Sequence, residues 1–109
     1  MDSQPLVVYC TCPDFATAER IAETVVDERL AACVNITPGL TSIYRWQGQI
    51  HRDSELLLII KTRSAVYPLL EGRIHDLHPY EVPEIIALPV HVGSATYLDW
   101  IVESTGAPV

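Results

Sequence analysis

Residues 32–62 read ACVNITPGLTSIYRWQGQIHRDSELLLIIKT, and this stretch decides the fold. Gln47-Gly48 is a two-residue turn signal with β-forming residues on both sides, which predicts a β-hairpin. The arm before the turn is interrupted at Pro38-Gly39, where we expect a bulge because proline donates no ladder hydrogen bond. The arm after the turn runs from about Gln49 to Thr62. Its apolar half, Leu56–Ile60, is predicted to be buried.

The segments on either side of the hairpin alternate between strand and helix patterns. Apolar runs of strand length predict strands, whereas apolar residues at a spacing of three or four predict helices that follow a capping residue. Together with the hairpin, the segments give the order β-α-β-β-α-β and a short final helix. With right-handed crossovers this order predicts an α+β, ferredoxin-like fold: one antiparallel sheet with both main helices on one face. The segments are a strand at Leu6–Cys10, a helix that begins at Phe15 after the cap Asp14, a helix capped by Ser64 that reaches Leu77, a strand at Ile85–Val92 and a helix at Ser94–Glu103.

The length of the hairpin points to self-association. Arms of 14 or 15 residues extend about 45–50 Å at the usual rise per strand residue, which exceeds what one small domain can cover. Exposed strand edges pair with other chains, and the sheet face without helices also needs cover. The hydrophobic content of 49% fits either burial against other copies or a well-filled core.

Length, charge and cysteine count bound the function classes. The 109 residues predict a single domain over 1–109. Seven basic residues against fourteen acidic ones give a net charge of −7, which disfavours nucleic acid and anionic membranes as partners. An odd number of cysteines argues against a disulfide framework, and the polar first five residues lack the basic region of a signal peptide. We therefore expect a cytoplasmic protein with reduced thiols.

Several segments, taken in order, form a pattern that resembles the CutA divalent-cation-tolerance family. The resemblance extends from about Cys10 to Ile101 and depends on the whole set rather than on any one piece. The segments are Leu30-Ala31-Ala32-Cys33-Val34-Asn35-Ile36-x-Pro38-Gly39, Ser42-x-Tyr44-x-Trp46-x-Gly48, Glu55 with Lys61-Thr62, His78-Pro79-Tyr80-Glu81-x-Pro83-Glu84, and Tyr97-Leu98-x-Trp100-Ile101.

This resemblance implies a homotrimer in which hairpins and final strands join neighbouring sheets. It also implies copper binding and a link to metal tolerance. The subunit and trimer implied are similar to those of the PII signalling proteins. That likeness concerns the fold and says little about function by itself.

Three residues are candidate metal ligands. Cys10 and His78 match the ligand positions that the resemblance implies, and thiolate and imidazole are good ligands for copper. Cys12 stands where the family often has a small residue without sulfur, and in an extended strand it shares a face with Cys10. Such a pair favours Cu(I) or zinc. The structural alternatives are a strand-core role for the cysteines and a helix-end role for His78, and Leu77 replaces a second histidine found in copper-binding members.

Five further residues are candidates for a cleft or an interface between subunits. Lys61 offers a point charge to an anion, or it forms an ion pair with Glu84 that sets the register of a trimer. We interpret Trp46 as a packing anchor beside the turn and Cys33 as a core residue. The five residues are Tyr44, Trp46, Lys61, Tyr80 and Glu84.

These patterns support two principal hypotheses. The first is a trimeric copper-binding protein of metal tolerance. The second is a signalling or interaction module of the PII kind, whose clefts bind a small anion or a partner. An enzyme is not expected, because His78, Glu81, Glu84 and Lys61 show no readable arrangement of nucleophile, base and orienting group.

Overall fold

The computed structural model describes residues 3–107, and its elements follow the predicted order. Residues 1–2 and 108–109, the ends of the predicted domain, lie outside the described part. None of the helices in residues 3–107 is long and apolar enough to cross a membrane. The elements are β1 (Pro5–Cys12), α1 (Phe15–Asp27), β2 (Cys33–Trp46), β3 (Gln49–Arg63), α2 (Tyr67–Leu77), β4 (Ile85–Pro89) and α3 (Ala95–Glu103).

The four strands form one antiparallel sheet in the order β2-β3-β1-β4. Strand β1 lies between β3 and β4, with Cys10 opposite both Leu58 and Ile85. This arrangement confirms the predicted ferredoxin-like α+β fold. Strand β1 is two residues longer at its C-terminal end than predicted, because pairing with β3 continues to Cys12. Strand β4 ends at Pro89 rather than at Val92.

The two main helices begin differently. Asp14 caps α1 as predicted, since its Oδ1 accepts a hydrogen bond of 2.8 Å from the Thr17 amide. Such a bond satisfies one of the free amides of the first turn. The prediction that Ser64 caps α2 is wrong. Helix α2 begins after Val66, which makes no side-chain capping bond, and the proline at its start fixes a helical φ angle there instead.

The core lies between the two main helices and one face of the sheet. Alternate residues of β1 and β3 point towards the helices, as the period of two requires. Phe15 and Val26 share the helical spacing of the core residues of α1, yet both are about half exposed. The buried cluster consists of Val8, Cys10, Cys12, Ala18, Ile21, Val25, Ala31, Leu58, Ile60, Leu70 and Ile74.

The opposite face of the sheet is only partly covered. Helix α3 packs on β3 and β1 and buries Ile101, while Tyr97 is 42% exposed. Ile86 and Leu88 of β4 lie on this open face, opposite Tyr9 and Val7. Their exposed fractions are 52% and 47%. The subunit therefore presents an apolar sheet surface to its surroundings.

The β2–β3 hairpin has the predicted bulge and turn. The strand register shifts between Thr37 and Leu40, and Gly39 adopts a φ of 85°. Gln47 and Gly48 both have positive φ angles, as the tight turns that match strand twist require. The described chain extends 46 Å along its longest axis. Ile43, near the tip of the hairpin, is 62% exposed, and its diagonal neighbour Ile50 on β3 is exposed to the same extent.

Candidate metal centre

Strand β1 places Cys10 and Cys12 side by side. The strand runs without interruption through both residues, so their side chains point to the same face of the sheet. Both side chains are fully buried. Because pairing with β3 extends to Cys12 opposite Leu56, Pro13 and the start of α1 do not disturb this alignment.

His78 joins the two cysteines from the end of α2. Its amide donates to the Ile74 carbonyl at 2.8 Å, which makes it the C-terminal cap of the helix. Its Nε2 donates to the Thr11 carbonyl at 2.7 Å, and its Nδ1 accepts from the Tyr80 amide at 3.1 Å. These partners define a neutral imidazole with its proton on Nε2. The ring is thereby held against β1 by backbone groups that no residue pattern encodes.

The three side chains meet the first requirement of a metal site. The ligand atoms of Cys10, Cys12 and His78 all lie within 4.8 Å of one another. Bonds of about 2.3 Å to sulfur and about 2.0 Å to nitrogen keep the ligand atoms of one ion within about 4.6 Å of each other. The three donors are therefore close enough to reach a common ion once His78 gives up one of its two hydrogen bonds. Leu77, in contrast, packs against the core and offers no ligand atom.

A hydrogen bond between the thiols of Cys10 and Cys12 shifts their pKa values in opposite directions. The bond with Cys12, together with burial, raises the pKa of the Cys10 thiol, and the carboxylates of Glu84 and Glu55 raise it further. The same bond lowers the pKa of Cys12. Cys12 is therefore the sulfur that loses its proton first, and the thiolate is the form that binds metals.

Tyr80 connects the His78 loop to the hairpin. Its backbone amide holds the His78 ring, and its hydroxyl donates to Glu55 Oε2 at 2.8 Å. Glu55 is only 7% exposed. Burial and this hydrogen bond raise the pKa of Tyr80 above its ordinary value. Sequence reasoning named both residues but had no signal for their pairing, because 25 positions separate them.

We expect Tyr80→Phe to lower the free energy of unfolding by about 1–3 kcal/mol, because a buried carboxylate loses its hydrogen-bond donor. Urea denaturation checks this. Tyr67→Phe is the matched control, since half-buried Tyr67 donates to Glu71 at 2.8 Å within α2, and Glu71, unlike Glu55, is not buried and keeps water as an alternative partner. Equal decreases in the free energy of unfolding of the two variants would show that the bond to Glu55 stabilises the fold no more than the bond to Glu71 does.

Two of the predicted cleft residues, Tyr44 and Trp46, lie two positions apart on β2 and therefore on one face of the hairpin. Tyr44 donates a hydrogen bond to Asp53, and its ring stacks on His51 at 5.4 Å between centroids. The bond with Asp53 raises the pKa of Tyr44. Trp46, on the same face nearer the turn, is 38% exposed. Within one chain these groups form a polar, aromatic surface rather than an enclosed pocket.

Lys61 has different partners within the chain from the one that was predicted. Its ammonium donates to Asn35 and lies 3.7 Å from Cys33 Sγ. Cys33 is half-buried beside the Tyr97 hydroxyl at 3.7 Å, so the prediction that it belongs to the core is wrong. The reason is that Cys33 is paired with Lys61 on the face of the sheet away from the main helices. An ion pair of Lys61 with Glu84 across a subunit boundary stays a prediction.

Comparison with known proteins gives consistent matches over nearly the whole chain. Residues 6–104 match the family model described as CutA1 divalent ion tolerance protein. The chain is 57% identical over 100 residues to a divalent-cation tolerance protein CutA of Thermus thermophilus, covering 92% of this chain and 97% of that protein. It is 50% identical to human Protein CutA over 97 residues, 89% of this chain and 54% of the human protein.

A solved structure supports the same assignment at the level of the fold. The divalent cation tolerance protein Cut A1 of Thermus thermophilus superposes with a TM-score of 0.92 at 56% identity, covering 94% of this chain and 99% of that one. The fold, the length and the ordered sequence matches thus agree. The chain belongs to the CutA1 divalent ion tolerance protein family.

Proposed function

We propose that this chain forms a homotrimer that binds copper through Cys10, Cys12 and His78 and takes part in the tolerance of metal ions. The relation to divalent-cation tolerance rests on the family. The copper site and the trimer go beyond it. The observation that supports the copper site is the convergence of two thiols and one imidazole within 4.8 Å.

The open sheet face and the hairpin support the trimer. Ile86 and Leu88 expose about half of their surface on a sheet face that α3 covers only in part. Strands β2 and β4 are both edges of the sheet, and unprotected edges pair with other chains. In a trimer, two further copies cover the exposed apolar sheet face and pair with the free edges of β2 and β4.

Copper binding is expected to be weak because His78 is already engaged. Both of its ring nitrogens carry hydrogen bonds, to Thr11 and from Tyr80. An ion can bind the ring only by replacing one of these bonds. Breaking a bond that helps to hold the loop after α2 therefore reduces the net free energy of copper binding.

Equilibrium binding of Cu(II), Cu(I) and Zn(II) tests the proposal. We expect saturable binding of a copper ion by the native chain and its loss in Cys10→Ala and His78→Ala. The loss in affinity exceeds the roughly 10–100-fold that removal of an outer-shell partner costs, because a direct ligand is removed. Competition with chromophoric chelators under anaerobic conditions measures the Cu(I) affinity.

His75→Ala is the matched control, since His75 is an exposed histidine in the last turn of α2 and lies outside the cluster. We expect the copper affinity of the His75→Ala variant to equal that of the native chain. Light scattering on each variant verifies that the oligomer survives. A native chain that binds no ion more tightly than Cys10→Ala does would contradict the copper site.

A second candidate is a PII-like signalling or interaction module. The engagement of both His78 nitrogens and the apolar packing of Leu77 favour it. In that case a small anion or a partner binds between subunits near Lys61. A rise in melting temperature with nucleotides or organic anions, absent with metals, distinguishes this function from the first.

The remaining expectations concern catalysis and location. We expect no enzymatic turnover, since the cluster presents ligand atoms rather than a nucleophile activated by a base. A cytoplasmic location also stays a prediction, which fractionation of the native cell tests directly.

A further inference from the structure

The candidate metal ligands at the end of β1 are mostly soft sulfur atoms, although the family is named after divalent cations. Two of the three ligand atoms are sulfur, and the third is an imidazole nitrogen. Soft thiolate ligands select Cu(I), zinc or iron–sulfur clusters, whereas Cu(II) prefers nitrogen and oxygen ligands in a tetragonal arrangement. Cys12 is the residue that makes the difference, because without it one thiol and one imidazole remain.

The surroundings of the cluster restrict the number of ligands. Cys10 and Cys12 are fully buried, and His78 is 7% exposed. The group of candidate ligands in residues 3–107 contains these three side chains and no carboxylate. Ala18, Ile21 and Leu58 belong to the same buried apolar cluster as the two cysteines, so water has little room to complete a coordination shell.

Coordination number then separates the remaining ions. Zinc in proteins is almost always four-coordinate, and tetragonal Cu(II) needs at least as many ligands. Cu(I), a closed-shell ion with little geometric demand, is satisfied by two or three soft ligands. The site has three donors, two of them sulfur, and all three side chains are buried.

From these observations we infer that the ion held by Cys10, Cys12 and His78 is monovalent copper, with Cys12 as the residue that determines the selectivity. The inference rests on the proposed copper-binding function and specifies its oxidation state. Copper reaches the site as Cu(I) from a reduced donor, so no electron transfer at the site is required; Cys10 and Cys12 bind it as thiolates and release their thiol protons to the solvent. Cys12 thus serves as a third ligand rather than as core filling.

The test compares Cu(I) and Cu(II) binding in the native chain, in Cys12→Ala and in Cys33→Ala. Cu(I) is supplied from a bicinchoninate complex under anaerobic conditions, and Cu(II) from a glycine-buffered solution. We expect one Cu(I) per chain and an affinity that falls by about 100-fold or more in Cys12→Ala, beyond the range of an outer-shell loss. Cys33→Ala, which removes a thiol outside the cluster, leaves the affinity unchanged. X-ray absorption of the native complex shows two sulfur ligands and one nitrogen ligand.

The outcomes separate this inference from the function on which it rests. Saturable Cu(II) binding that requires Cys10 and His78 but is indifferent to Cys12 would overturn the inference, whereas copper binding as the function would stand with Cys10 and His78 as its ligands. Absence of any saturable metal binding in the native chain would overturn both. Circular dichroism and thermal melting verify that each variant is folded. If Cys12→Ala does not fold, Cys12→Ser replaces it, because serine is closer in size to cysteine.

Discussion

Ile86→Asp is expected to convert the proposed trimer into single subunits. Ile86 is 52% exposed in one chain, so the aspartate meets water in the isolated subunit and does little harm to its fold. In an assembly that buries the open sheet face, each subunit instead places an unpaired carboxylate in an apolar interface, which costs several kcal/mol. Light scattering and sedimentation equilibrium check the result, because the mass falls from three times the 12.1 kDa chain to one.

Leu69→Asp is the matched control for this experiment. Leu69 is an aliphatic residue of similar size that is 66% exposed on the outer surface of α2, away from the open sheet face. We expect this variant to keep the trimer mass. A trimer that survives Ile86→Asp unchanged would show that β4 and the open face do not form the subunit interface.

Leu58→Ala is expected to lower the free energy of unfolding by about 2–5 kcal/mol. Leu58 is fully buried on β3, opposite Cys10 on one side and Ile36 on the other. Truncation removes apolar contacts and leaves a cavity that close-packed neighbours fill only partly. Every subunit of the assembly carries the loss. Guanidinium denaturation at several protein concentrations measures it, since oligomers unfold in a concentration-dependent way.

Leu69→Ala again provides the comparison, with the same side chain truncated at an exposed position. We expect a change within about 0.5 kcal/mol, as is usual for surface substitutions. Similar losses at positions 58 and 69 would contradict the assignment of the core to the face between the sheet and the main helices. The Leu58→Ala variant also tests the metal site indirectly, because a loosened β3 no longer holds Cys10 in place.

Local patterns were sufficient to predict the element order and the hairpin. The turn at Gln47-Gly48, the bulge after Pro38 and the cap at Asp14 depend on short-range backbone chemistry, so neighbouring residues encode them. The errors are also local. Ser64 is a favourable capping residue, yet α2 begins three residues later, where a proline in the first turn stabilises the start.

Exposure was predicted less well because it depends on what covers a residue. Phe15 and Val26 have the helical spacing of core residues, yet both are about half exposed. Cys33 has apolar neighbours in sequence and lies on the face of Lys61 and Tyr97. The period of a strand tells which residues share a face, but it does not tell which face receives the helices.

By itself, the sequence determined the fold class, the long hairpin and the candidate ligands Cys10, Cys12 and His78. Only the tertiary structure decided that these ligands meet. His78 lies 67 positions from Thr11, whose carbonyl fixes its ring, and Arg20 of α1 holds the end of α2 through the Leu77 carbonyl at 3.0 Å. Each of these contacts joins a side chain to a backbone carbonyl, which every residue carries, so the sequence pattern does not reveal which carbonyl is the partner. Packing of α2 against α1 and the bond from His78 to Thr11 of β1 bring the three donors together, and that packing is a property of the whole chain.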